Sequence, residues 1–96
     1  NHRDKLSDFM DQYLQYCDEN LEILFTKSDD IRVADAVLEL FRKRENLDIF
    51  NKKALYIYIR EITDTTTPHI TRVTKKLDTL RTRLFNEWYE HGYIKS

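Results

Sequence analysis

Apolar residues recur at spacings of three and four along most of this chain, the period of one face of an α-helix. Four such runs are readable. From about Lys5 to Phe25, Leu6, Phe9, Tyr13, Cys17, Leu21 and Leu24 form a stripe that Met10, Leu14 and Phe25 widen. Asp8, Asp11, Gln15, Asp18 and Glu22 take the other side. From about Ile31 to Glu45, Ile31, Ala34, Leu38 and Phe41 form a second stripe, with Val37 and Leu40 beside it. Ser28-Asp29-Asp30 before it supplies cap candidates and acids suited to a positive helix start. Arg42-Lys43-Arg44 stands at its end, where cations suit the helix dipole; phosphate binding is the other reading of that triplet.

The third run, about Phe50 to Thr63, contains Leu55-Tyr56-Ile57-Tyr58-Ile59, a β-branched and aromatic stretch that also suits a strand. Its flanks extend past strand length without a turn signal, and Leu55, Ile59 and Ile62 keep helical spacing. The spacing predicts a helix, with Asp48 or Asn51 as its cap. In the fourth run Thr65-Thr66-Thr67-Pro68 reads as a cap followed by proline in the first turn. Ile70, Val73, Leu77, Leu80 and Leu84 alternate three and four, and Trp88 follows. No breaker appears until Gly92, so this helix spans about 25 residues, roughly 37 Å.

Composition narrows the architecture further. The 96 residues contain one Gly and one Pro, too few for the turns of a sandwich or barrel or for a Gly-rich phosphate loop. The expectation is an all-α fold in a single domain, residues 1–96, with a core at about 31–84 and an additional N-terminal helix at 5–26. Cys17 is the one cysteine, so no internal disulfide or cysteine-based zinc site is expected. It lies in the first stripe beside Asp18 and Glu19, the setting of a buried hydrophobe rather than a reactive thiol. The longest apolar run, Ala54 to Ile59, is far short of a membrane span. No signal-peptide pattern is recognisable, so a cytoplasmic or nucleoid-associated setting is expected.

Charge separates the two halves of the chain. Residues 1–48 carry seven basic and twelve acidic side chains, and residues 49–96 carry nine and five. Between Asn51 and Arg83 the acids are only Glu61, Asp64 and Asp78, against eight bases. A chain of net charge −1 can still hold a polyanion on one basic face. A solvated helix surface is the plainer account of the same cluster.

The stretch Ile59 to Leu77, IREITDTTTPHITRVTKKL, resembles the helix-turn-helix of DNA-binding proteins. That pattern runs loosely as Leu-Ala, three variable residues, Gly, a small apolar residue and Ser, then a second helix with Ile-Ser-Arg-Val. Ile70-Thr71-Arg72-Val73, followed by Lys75-Lys76-Leu77, is the closest part. In this register Ile59, Ile70 and Val73 are buried and Asp64 takes the turn position. There a positive φ is needed, which Asp tolerates better than most residues. Three positions depart from the pattern: Arg60 stands for Ala, Asp64 for Gly and Thr65 for a small apolar residue. The resemblance implies a helix-turn-helix trihelical core with an extra N-terminal helix and a long C-terminal one. It covers some 20–25 residues and implies a double-stranded DNA-binding protein of the transcriptional, phage or plasmid control type.

The DNA-contact candidates follow from that register. Lys52, Lys53, Lys75, Lys76 and Arg83 are candidates for phosphates, with Thr66 and Thr67 at the helix start. Thr67, His69, Thr71 and Arg72 are candidates for base edges, with His69, Arg72 and Lys76 on one outward side. Glu90-His91-Gly92-Tyr93-Ile94 resembles the beginning of a wing, with only Lys95-Ser96 after it. The long last helix leaves Leu80, Leu84 and Trp88 beyond the motif. They are expected to form a homodimer interface, unless Phe9, Tyr13 and Leu21 cover them within one chain.

Catalysis has little support in this pattern. His2, His69 and His91 lack paired ligand spacing, so no metal is expected, and no cofactor motif occurs. The chain does not read as an enzyme. Tyr56 and Tyr58 read as core aromatics or as stacking platforms for bases. The competing functional class is a helical adaptor that binds no nucleic acid and meets another protein through its acidic first helix or its long last one.

Overall fold

The computed structural model describes residues 2–43 and 52–94, and the side chains of 2–4 and 52 lie outside that description. The described secondary structure is entirely α-helical, in four segments: α1, His2–Leu24; α2, Ser28–Arg42; α3, Lys52–Thr63; α4, Thr67–His91. The expected cap of α3, Asp48 or Asn51, falls outside the described residues, as does Arg44 of the basic triplet.

The third segment is helical because its buried side is not every second residue. Ile59 and Thr63 are buried and Leu55 and Tyr56 half-buried, while Ile57 and Tyr58 stand in solvent. A strand would have put Leu55, Ile57 and Ile59 on one face. Tyr58 is therefore an exposed aromatic, and Ile62, expected inside, is 51% exposed.

The start of α2 lies earlier than its stripe suggests. The Ile31 amide already donates to the Lys27 carbonyl at 3.0 Å, so Ser28, Asp29 and Asp30 form the first turn instead of capping it. Lys27 takes the N-cap position without a side-chain hydrogen bond. The two acids still face the positive end of the helix. In α4, Thr66 has the extended backbone of an N-cap (φ −92°, ψ 158°) and Pro68 lies in the first turn. Gly92 ends the helix at φ 78°, its amide donating to the Trp88 carbonyl at 2.7 Å, the left-handed cap that glycine adopts most readily.

Helices α2 and α4 pack on each other and on both remaining helices, whereas the backbones of α1 and α3 do not approach closely among the described residues. α2 consequently buries a broad face, Val33, Ala34, Ala36, Val37 and Leu38, with Ile31, Leu40 and Phe41 at its edges. α4 buries Ile70, Val73, Leu77, Leu80 and Leu84 along one side.

The last third of that stripe is covered from within the chain. The Phe9 ring meets Phe85 edge-on at 5.2 Å and lies 5.6 Å from Trp88. The Tyr13 hydroxyl donates to the Leu77 carbonyl at 2.9 Å. Leu84 has no exposed surface, Leu80 is buried and Trp88 is half-buried. Of the expected homodimer seam, Leu80 and Leu84 are thus buried within one chain, and Trp88 packs against Phe9 of α1. Leu6, expected in the α1 stripe, is 49% exposed.

Polar contacts also tie α1 to α2. Arg42 hydrogen-bonds Asp18 of α1 and, at 2.7 Å, Glu39 of its own helix. Burial acts against its charge, but Glu39, Asp18 and Asp35 outweigh it and raise its pKa. Burial also raises the pKa of the Tyr13 hydroxyl, with Cys17 adding to the effect.

Cys17 is wholly buried. Desolvation pushes its thiol up to about 11, against the lowering effect of the Tyr13 hydrogen bond. The native protein is therefore expected to resist a water-soluble thiol reagent, its labelling rate following global unfolding as urea is raised. Rapid labelling without urea would place Cys17 at the surface. Ile70, also wholly buried, fills the junction of α4 with its neighbours. Ile70→Ala is expected to cost about 2–4 kcal/mol in urea unfolding. A loss under about 0.5 kcal/mol would contradict its burial.

Candidate functional site

The α3–α4 junction is short because threonines hold it. Thr63 is buried at the end of α3, and its hydroxyl donates to the Ile59 carbonyl at 2.5 Å and lies 2.8 Å from the Thr65 hydroxyl. Asp64 follows in the left-handed region at φ 54°, its amide donating to the Arg60 carbonyl at 2.8 Å. Residues 64–66 then separate the two helices. Arg60, at a position expected to be small, is exposed. Ile59, Ile70 and Val73 lie buried beneath the junction.

The inward stripe of α4 leaves its opposite side open. Pro68, Thr71, Lys75, Thr79, Thr82 and Arg83 are exposed there, with Thr66 and Thr67 at the helix start. Thr79 and Thr82 return their hydroxyls to the carbonyls of Lys75 and Asp78 at 3.0 and 3.1 Å. Thr71 donates to the Tyr56 hydroxyl at 3.4 Å, a link to α3. Asp78, the acid of this stretch, pairs with Arg81 at 3.1 Å. Lys53 is exposed on α3, while the side chain of Lys52 lies outside the described residues.

Arg72 and Lys76 are exposed at one edge of this open side, and His69 on the same edge is half-buried. Arg72 and Lys76 border a groove against the α1–α2 connection, with Asp30 on its far side. His69 Nε2 hydrogen-bonds Asp30 Oδ1, and Arg72 Nη2 donates to the same oxygen at 2.9 Å. Lys76 donates to the Leu24 carbonyl, its ammonium 4.9 Å from the centre of the Phe25 ring. The His69 side chain is only 18% exposed, so the expectation that it faces outward is corrected. Arg72 differs: with Asp30 held on one nitrogen, 64% of its side chain stays exposed.

The sequence pattern accounts for Asp30 locally, as a cap candidate and an acid at a positive helix start. In the fold it is the acceptor that joins α2 to the beginning of α4. Desolvation pushes its pKa up, but hydrogen bonds from His69 and Arg72, and the Arg72 charge, outweigh this and hold the carboxyl below its ordinary value. No grouping of His, Cys, Asp and Glu able to hold a metal occurs among the described residues, and no described helix is long and apolar enough to cross a membrane. Family models, curated proteins and solved structures give no match to this chain.

The Asp30 contacts set a pH dependence of definite sign. A carboxyl held below its unfolded value of 3.8 stabilises the fold above that pH. The stabilisation is lost as pH falls through the lower folded value. Thermal melts should therefore show wild type above Asp30→Asn at pH 5, the margin shrinking below pH 3.8. An equal margin at pH 2.5 and pH 5 would mean that the Asp30 charge contributes nothing.

Proposed function

We propose that the chain is a sequence-reading double-stranded DNA-binding protein, with α3, the three-residue turn and α4 acting as a helix-turn-helix on a trihelical core of α2, α3 and α4. One observation carries this reading. The first four turns of α4 expose a polar, basic face while the same turns anchor the core through Ile70, Val73 and Leu77. A helix held from behind and polar in front can enter a major groove without exposing apolar surface.

In this reading Thr66 and Thr67 present hydroxyls and free amides to a phosphate at the helix start. Lys53, Lys75 and Arg83 meet flanking phosphates, and Thr71 and Arg72 face base edges. His69 acts behind the interface, and Lys76 lies at its edge. A homodimer through Leu80, Leu84 and Trp88 would have to displace α1, so the proposed unit is a single chain. The partners that follow from this class are duplex sequences, the operators of transcriptional, phage or plasmid control.

A specific feature favours a second reading. Ile57, Tyr58 and Ile62 are exposed together on α3, as on a helical adaptor that meets another protein.

The two readings part on salt. Fluorescence anisotropy with a labelled duplex should show binding that weakens steeply between 50 and 200 mM salt. Lys75→Ala should lower the slope of log K against log salt by about one. Absence of duplex binding by the folded protein at 50 mM salt would leave the adaptor reading standing.

A further inference from the structure

Asp30 of α2 places a carboxylate against the cationic edge of α4, which belongs to the half of the chain where bases outnumber acids. Its Oδ1 accepts from His69 and, at 2.9 Å, from Arg72. The carboxylate itself is only 16% exposed, against 64% for the Arg72 side chain. Asp30 therefore holds the guanidinium from behind while most of the arginine reaches outward from α4. Lys76, the other cation bordering the groove, is turned to the Leu24 carbonyl and the Phe25 ring.

This pairing changes what Arg72 is suited to bind. A guanidinium whose charge is offset by an adjacent carboxylate is a poor phosphate ligand, because the acid repels the phosphate. It remains a good ligand for the guanine edge, whose O6 and N7 are neutral acceptors matched to the arginine fork. A long side chain also loses rotamer freedom when it binds, and an existing hydrogen bond on one nitrogen reduces that loss.

We propose that Asp30 is a positioning residue for base recognition: from the first turn of α2 it orients Arg72 of α4 to read one guanine. This rests on the DNA-binding reading and names the base that this part of the site takes. It also divides the labour on α4. Lys75 and Arg83 supply salt-dependent affinity, and Arg72, neutralised from behind, supplies discrimination.

The test is selection from a randomised duplex library with the full chain, followed by titration of the preferred duplex and of versions substituted at each base pair. Wild type should prefer guanine at one position, and Arg72→Ala should remove that preference. Asp30→Ala should reduce it by about ten-fold at that base pair alone, as loss of an oriented bidentate contact would. Its salt slope should match wild type. Asp30→Glu, which keeps an acceptor, should restore part of the preference, and a thermal melt of each variant confirms that it is folded. A stabilising contact alone would weaken all duplexes equally and leave the base profile unchanged. Either that result or an Asp30→Ala profile identical to wild type overturns the proposal while duplex binding stands. Tighter binding of Asp30→Ala to every duplex overturns it too, since Asp30 would then only repel phosphates. No binding to any duplex overturns this inference together with the reading beneath it.

Discussion

The buried stripe of α4 is the constraint on which the rest of the structure depends. Five apolar residues, from Ile70 to Leu84, run along one side of a 25-residue helix. No single neighbour is placed to cover that length. The stripe is closed in two stages, by α2 and α3 near its start and by α1 towards its end. Covering the end requires aromatic bulk, which Phe9 and Tyr13 supply against Phe85, Trp88 and the Leu77 carbonyl. α1 therefore completes the core as part of the same hydrophobic unit. Because the apolar side is satisfied from within, the opposite side of α4 is free to be polar.

Helix existence was legible because spacing reports directly on burial. The positions that alternate three and four in α4 are the buried ones, and Gly92 ends the helix where the pattern stops. Asp64 was legible for another reason: few residue types accept a left-handed backbone, and the turn required one. The breadth of each buried face was harder to read. In α2 the residues Val33 and Ala36 lie outside the simple stripe yet are buried, because three helices surround that segment. In α3 Ile62 keeps the spacing and is still exposed, since no described helix covers that side. Periodicity gives the direction of a face, whereas the number of neighbours sets its width.

The cationic edge of α4 shows the same limit in electrostatic form. His69, Arg72 and Lys76 share a helical edge, so the sequence groups them correctly as neighbours. It does not say that the edge meets the α1–α2 connection. Asp30 is separated from His69 and Arg72 by 39 and 42 residues. Leu24 presents a main-chain carbonyl, a group that leaves no trace in the residue pattern. Local acids gave no warning either, because Asp30 has an adequate local explanation in the first turn of α2.

That double role is consistent with the electrostatics of the position. At the start of α2 the carboxylate faces the helix's positive end and two donors from α4, so it stays ionised despite its desolvation. An acid at an exposed site on the same basic face would simply subtract attraction for a polyanion. One set behind the arginine, largely out of solvent, acts at short range on its neighbours, while screening by salt limits its reach beyond roughly 8–10 Å. Lys75 and Arg83 lie farther along the open side of α4 and keep their own field. The arrangement thus allows one helix to carry a locally neutral, oriented donor beside fully charged cations, a distinction that a count of bases and acids along the chain averages away.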